Sequence, residues 1–364
     1  MPYIIDAHQD LAYNALSFGR NYLRSAAETR TLERDTPIPN YTGQALCGWP
    51  DYQRGQIALI VATLFLAPQR HQGGAWEKQV YRNPDEAGRM LHGQIDYYRR
   101  LVDENPEKFR LVTNRKDLDA VLAPWEQSPA DEPNATHTVG LVLSIEGAEG
   151  LHSVDDLVEY RELGVHFVGP VWAGGRFCGG SFEPGGFTKE GYQLLEMMGD
   201  LQYTLDLSHM NEESANQALD AYSGTVIASH ANARALIKNA PNERHLSDRV
   251  IRTLAERDGV MGVLPFNRFL KVDWKNQDDR HEITLANVAD HIDHVCQLTG
   301  SVRHIAIGTD FDGGFGWPAV PLEIDTIADM QKIETLLCQR GYTTQEILAI
   351  FNGNWRRILE STLA

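Results

Sequence analysis

The chain has 364 residues, 42% of them apolar and 23% charged, and a formal net charge of −17. Those proportions belong to a globular protein with a large core, and acidity on this scale repels nucleic acid and anionic membrane surfaces alike. No apolar run nears the roughly 20 residues of a membrane span, and no CxxC pair links the four scattered cysteines, so buried thiols are expected rather than disulfides or thiolate zinc.

In chain order the first apolar run is 3–10 (YIIDAHQD), which leaves no room for a secretory signal, so a cytoplasmic location is expected. A Gly-, Pro- and polar-rich segment, 11–55, separates it from the second run, 57–67 (IALIVATLFLA). Another loop-like stretch, 68–84, leads into a helical pattern at 85–103, and a third, 123–137, precedes the run 138–147 (TVGLVLSIEG). Thereafter helices and strands alternate: helix 154–163, strand 166–172, helix 188–200, strand 203–209, helix 211–221, strand 225–230, helix 247–257, strand 259–266, helix 284–299 and strand 304–313. Thr188 and Asn211 stand where helix N-caps belong, with acidic residues just after them. Most strands are continuously apolar, as strands covered on both faces should be. Eight such strands, mostly followed by helices, predict one (β/α)₈ TIM barrel over residues 1–364, with the three loop-like segments as rim insertions. A doubly wound sheet is the structural alternative; if it bound a nucleotide it would carry a Gly-rich phosphate loop after an early strand, and none is visible.

What ends each strand carries the chemistry. In the first strand Asp6, His8 and Asp10 share one face, because alternate side chains point the same way. The third ends in Glu146, the fifth in His209, the sixth in His230 and the eighth in Asp310. Each alone reads blandly, as a hydrogen-bonded histidine or a carboxylate capping the next helix. Together, at the C-terminal ends of barrel strands, they converge on the face where such barrels place chemistry. Three histidines and three carboxylates without sulfur suit zinc, or manganese, cobalt or iron in its place. The set can supply the roughly six protein groups that two ions of about four ligands each need. A metallohydrolase is the reading this supports, Asp310 being its catalytic carboxylate. Asp6, one pleat deeper, and Asp312, two residues past Asp310, read as structural.

Taken in order, DAHQDL, LSIEG, LDLSHMN, IASHANAR and IGTDFDG resemble the membrane (renal) dipeptidase family of zinc peptidases. Weaker similarity in GFTKEGYQLLEMMG, LANVADHIDHV and GNWRRIL extends the resemblance over about residues 4–358. It implies a binuclear zinc barrel that cleaves the amide bond of dipeptides with a metal-bridging hydroxide. By the same resemblance His8, Asp10 and bridging Glu146 hold one ion, and Glu146, His209 and His230 the other. Asp310 matches the acid that moves a proton from water to the leaving amine, and Arg244, in NERHLSD, matches the arginine that grips the substrate carboxylate. Homodimers are known among family members, and assembly here rests on that analogy alone.

One position departs from the pattern. Where typical members carry a histidine at the end of the fourth strand, this chain reads VGPVWAGG, so Trp172 stands in a substrate-contacting place. Tryptophan carries no proton, though its indole N–H donates one hydrogen bond. The Gly-rich loop 173–186 follows, and its Arg176 offers a second anion contact. Trp172 therefore keeps a rival open, hydrolysis of N-acyl amino acids or another small amide or ester. A non-catalytic scaffold on the same fold is a more distant alternative, disfavoured by the complete ligand set.

Overall fold

The apolar runs become parallel strands because each is buried along its whole length, with helices outside and barrel interior within. The computed structural model describes residues 2–127, 136–240, 242–275 and 280–364. Eight strands follow one another round a ring: β1 Ile4–Gln9, β2 Ile57–Phe65, β3 Val139–Glu146, β4 Val165–Gly169, β5 Thr204–Asp206, β6 Val226–Ala231, β7 Met261–Val263 and β8 Ile305–Ile307. Every neighbouring pair is parallel. The ring closes just past β8, where the Asp310 N–H donates to the His8 carbonyl at 3.1 Å and Gln9 bridges to Phe311. A doubly wound sheet, which has two open edges, is thereby excluded. The architecture is the expected (β/α)₈ barrel.

Register levels the functional ends. Phe65 pairs with Glu146, and Glu146 with Gly169, so β2, β3 and β4 finish on one rung. Helices α1 Leu11–Phe18, α2 Pro84–Glu104, α3 Asp156–Glu162, α4 Lys189–Asp200, α5 Glu212–Ala221, α6 Asp248–Glu256, α7 Leu285–Thr299 and α8 Asn354–Thr362 include the outer layer. Thr188 caps α4 by accepting from the Gly191 N–H at 3.0 Å. Asn211 occupies the cap position of α5 without a side-chain bond, and Glu243 accepts from the Glu212 N–H instead, at 2.9 Å. From α8, Asn354 and Trp355 donate to the carbonyls of Ile305 and Ile307, each at 2.8 Å, which fastens the terminal GNWRRIL segment onto β8.

Several expectations change. The stretch 11–55 is not loop but mostly helix: α1 and three further helices, Ala26–Glu33, Ile38–Thr42 and Trp49–Arg54. Its polarity reflects internal pairing, since the buried Arg20 bonds Glu33 twice, at 2.8 and 3.0 Å, and approaches Asp312 at 3.4 Å. A helix Arg115–Gln127 runs into the expected insertion 123–137, of which 128–135 lies outside the described residues. Strands β4, β5, β7 and β8 stop short of their apolar runs. His209, Asp310 and Asp312 lie beyond strand ends with φ of 70°, 55° and 63°, so left-handed backbone rather than pleat alternation aims them. The cysteines are free, but only Cys47 and Cys178 are buried; Cys296 is half-buried and Cys338 exposed. Among the described residues no helix is long and apolar enough to cross a membrane.

Candidate metal centre

At the rim formed by the C-terminal strand ends, side chains from five strands meet. His8 comes from β1, Asp10 from the residue after it, Glu146 from the end of β3, His209 from the turn after β5, and His230 from β6. Asp310 arrives from the turn after β8. A Cβ at Gly313 would lie 1.9 Å from the Asp310 Oδ1, so that turn closes around the carboxylate only with glycine there.

Glu146 stands at the middle. Its Oε2 lies 3.2 Å from the Nε2 of His8, and its Oε1 lies 2.9 Å from the Nε2 of His209 and 3.7 Å from that of His230. The Nε2 of His8 is also 3.9 Å from the Asp10 carboxylate and 3.8 Å from Asp310. Ligand atoms of His8, Asp10 and Glu146 all fall within 4.8 Å of one another, as do those of Glu146, His209 and His230 and those of His8, His230 and Asp310.

The donor set fits cations. Ser229 donates its single hydroxyl proton to Asp206, so its Oγ accepts from the Nδ1 of His230, 2.8 Å away. That tautomer leaves the Nε2 of His230 a bare lone pair, facing Glu146 and, at 2.9 Å, the Nε2 of His209. Among the described residues the buried His8 Nε2 meets no hydrogen-bond geometry, its near neighbour being the Glu146 carboxylate at 3.2 Å. Burial, with the Arg244 charge next, holds His209 down at about 4, and burial keeps His230 well below the usual imidazole range. Neutral imidazoles are what metal ions bind.

Crowded acids point the same way. Burial, then repulsion from Glu146, lifts Asp10 to about 7, and burial lifts Asp310 well above the carboxylate range. Burial opposes protonation of His8, but Glu146, Asp10 and Asp310 outweigh it and raise that ring to about 10. Burial alone would raise Glu146 too, yet His8 and His209 draw it below its ordinary value. Without cations this cluster scavenges protons for charge balance; cations would remove that need.

A supporting layer went unread in the sequence. The Asp206 Oδ1 accepts from the backbone N–H groups of Ser208 and Ser229, each at 2.9 Å, which ties the ends of β5 and β6 together under both histidines. The Ser229 Oγ also lies 3.4 Å from the Nδ1 of His8. Thr63 donates to Asp10. The available signal was a polar residue inside a buried run: Asp206 in DLSH, Ser229 in ASH and Thr63 in ATLF. Asp6 is structural as expected, accepting from the Thr309 N–H at 2.7 Å and hydroxyl at 2.6 Å. Asp312 caps no helix; it accepts from the Leu46 N–H at 2.8 Å and so anchors the 11–55 segment.

Beside the cluster lies a cavity of about 410 Å³ lined by Asp10, Glu146, His209, Arg244 and Asp310 together with aromatic side chains. Arg244 is buried, donates one bond to the His230 carbonyl at 2.9 Å, and among the described residues has no partner for its Nε and Nη1. Its guanidinium rests 5.5 Å from the Phe269 ring centre. Trp172 also lines the cavity, its ring 6.2 Å from His209 and 5.1 Å from Phe65. Arg176 is not brought here: it pairs with Glu190 at 2.6 Å and donates to the carbonyls of Glu149 and His152, so it offers the cavity no anion contact.

The sequence matches the family model described as membrane dipeptidase (peptidase family M19) over residues 2–364. It is 28% identical to dipeptidase aclJ of Aspergillus oryzae, over 98% of this chain and 77% of that protein. It is 27% identical to an uncharacterised protein in the pqqA 5′ region of Klebsiella pneumoniae, over 75% of this chain and 96% of that one. Among solved structures, a Rhodobacter sphaeroides metallopeptidase liganded with a phosphinate mimic of the dipeptide L-Ala-D-Ala superposes with a TM-score of 0.78 at 21% identity, covering 99% of each chain. A probable dipeptidase, PvdM of Pseudomonas aeruginosa, does so with 0.77 at 18% identity, over 100% of this chain and 96% of that one. With the family matched from end to end and a His, Glu and Asp cluster able to hold metal at the barrel mouth, this chain belongs to the membrane dipeptidase family, M19, and is a metallo-dipeptidase.

Proposed function

We propose that the chain, as one barrel domain over residues 1–364, hydrolyses the amide bond of dipeptides or dipeptide-like small molecules at a pair of zinc ions. His8, Asp10 and Glu146 would hold one ion and Glu146, His209 and His230 the other. The observation that carries this reading is the division of Glu146, one oxygen 3.2 Å from His8 and the other 2.9 Å from His209. Nitrogen and oxygen donors without sulfur suit zinc, with manganese, cobalt or iron as substitutes. Ions bound there supply an acidified water and an electrophile for the scissile carbonyl.

The remaining work falls to the chain's own groups. Asp310, beside His8 at the cluster's edge, takes a proton from the attacking water and returns it to the leaving amine. Arg244 lines the cavity with its Nε and Nη1 unpartnered among the described residues, a buried cation that would attract the substrate's carboxylate. Gripping that carboxylate limits the substrate to a short one. The apolar wall containing Trp172 favours a second reading, cleavage of N-acyl amino acids, since an acyl chain needs no polar partner there.

Metal analysis of the purified protein, followed by turnover of dipeptides and N-acyl amino acids with added zinc, tests both. Two ions per chain and turnover of dipeptides are expected. One ion or none, or turnover of the acyl series alone, would overturn the leading reading.

A further inference from the structure

The cavity has a second charged end. Among the described residues that line it, Glu77 is the one carboxylate outside the ligand cluster. It follows β2, whereas Arg244 follows β6, four strands away in a ring of eight, so the two stand on opposite sides with the cluster between them. A substrate whose carboxylate Arg244 held would then extend its N-terminal residue toward the Glu77 side of the cavity.

Glu77 is held in place rather than trailing in solvent. Its Oε1 accepts from the Tyr13 hydroxyl at 2.7 Å and its Oε2 from the Gly73 N–H at 2.6 Å. A turn bond from the Glu77 N–H to the Gly74 carbonyl, 3.1 Å, fixes its backbone. Neighbouring Trp76 stacks on Tyr41 at 4.9 Å and on Phe18 at 5.7 Å, which pins the loop to α1 and the 38–42 helix. Two carboxylate oxygens offer about four acceptor positions, and among the described residues two are engaged. Between cluster and Glu77 runs an aromatic wall, with Phe65 5.1 Å from Trp172 and 5.4 Å from Tyr13.

We propose that Glu77 is a specificity-determining residue that accepts the cationic side chain of a lysine- or arginine-like N-terminal residue, whose methylene stem lies along the Trp172–Phe65–Tyr13 wall. The inference rests on the dipeptidase reading and names its substrate class. An apolar slot alone would select any large side chain; an acid at its end separates cationic tips from neutral ones. The α-ammonium of a dipeptide sits one carbon from the reacting carbonyl and stays beside the cluster, whereas Glu77 is reached past the Tyr13 ring. Side-chain length, not the peptide amine, spans that gap.

The experiment compares Lys-Ala, norleucyl-Ala and Glu-Ala on the zinc-loaded wild type and on the Glu77→Gln and Glu77→Lys variants. Calorimetric binding of the same dipeptides to the Asp310→Asn holoenzyme and to its Glu77→Gln double variant runs in parallel. Lys-Ala should exceed norleucyl-Ala in kcat/KM by roughly tenfold, the scale of one hydrogen bond to a charged group. That ratio should collapse toward one in Glu77→Gln, and Glu77→Lys should favour Glu-Ala. An unchanged ratio in Glu77→Gln would overturn the proposal, as would equal losses on Lys-Ala and norleucyl-Ala, which would assign Glu77 to the α-ammonium. If the wild type cleaves none of the three, the dipeptidase reading fails. Binding then decides Glu77 separately, a charge-dependent difference that Glu77→Gln abolishes upholding it and no difference overturning it.

Discussion

Asp310 and Arg244 make demands that the two halves of a kinetic measurement separate. Asp310→Asn keeps the shape of the turn around Gly313 but removes the proton carrier. It should lower kcat by roughly 10²–10⁴-fold, with metal content retained; a variant that loses its ions would assign Asp310 to metal binding instead. Arg244→Met keeps the stem packed against Phe269 and removes the fork, so KM for dipeptides should rise roughly 10–100-fold, the range expected for a hydrogen bond to a charged group. A kcat loss with KM unchanged would contradict the grip. At this scale the sequence was informative because ligand chemistry needs particular side chains: His8, Asp10, Glu146, His209, His230 and Asp310 are converged as expected. Arg176 misled because a lone arginine in a Gly-rich loop says nothing of the nearby Glu190 that neutralises it.

Elements position these residues through bonds that periodicity does not reveal. Asp206 ties β5 to β6 beneath His209 and His230, so Asp206→Ala should weaken metal affinity roughly 10–100-fold, as losses of supporting hydrogen bonds do. Competition with a chromogenic chelator would measure it. Farther out, the Nδ1 of His291 on α7 accepts from the Ala233 N–H at 3.2 Å, which fastens the loop after β6. Burial, with His294 second, lowers His291 from 6.5 to about 4. A histidine depressed on folding binds its proton first in the unfolded chain, so its contribution is whole above about pH 6.5 and is lost as pH falls toward about 4. His291→Gln should therefore make the fall of Tm shallower in that window; an unchanged slope would refute the assignment. Helices and long strands were legible from their apolar period. The short helices of 11–55 were not, because their polar residues meet partners far along the chain, Arg30 with Asp325 at 2.7 Å among them. The ends of β5 and β8 were overread, since apolar character continues through the left-handed turns that carry His209 and Asp310.

For the whole molecule, ions held by His8, Asp10, Glu146, His209 and His230 would cross-brace four strands of the barrel, β1, β3, β5 and β6. An ion present at 100 times its Kd adds about 2.7 kcal/mol to stability. Chelation should accordingly lower Tm by about 3–4 °C for each ion lost, and zinc should restore it; an indifferent Tm would mean that the ions contribute little to the fold. The (β/α)₈ architecture was readable because eight apolar runs alternate with amphipathic ones, a global regularity that tolerates local error. Cavity shape was not, because its aromatic walls come from several loops whose mutual approach no single segment encodes.

The seam of the ring has a temporal consequence. The Asp310 N–H bonds the His8 carbonyl across the junction of first and last strands, and both residues belong to the reactive cluster. During synthesis on the ribosome β8 emerges after the seven other strands, so the cluster gathers its last carboxylate, Asp310, only once the rest of the ring has been made.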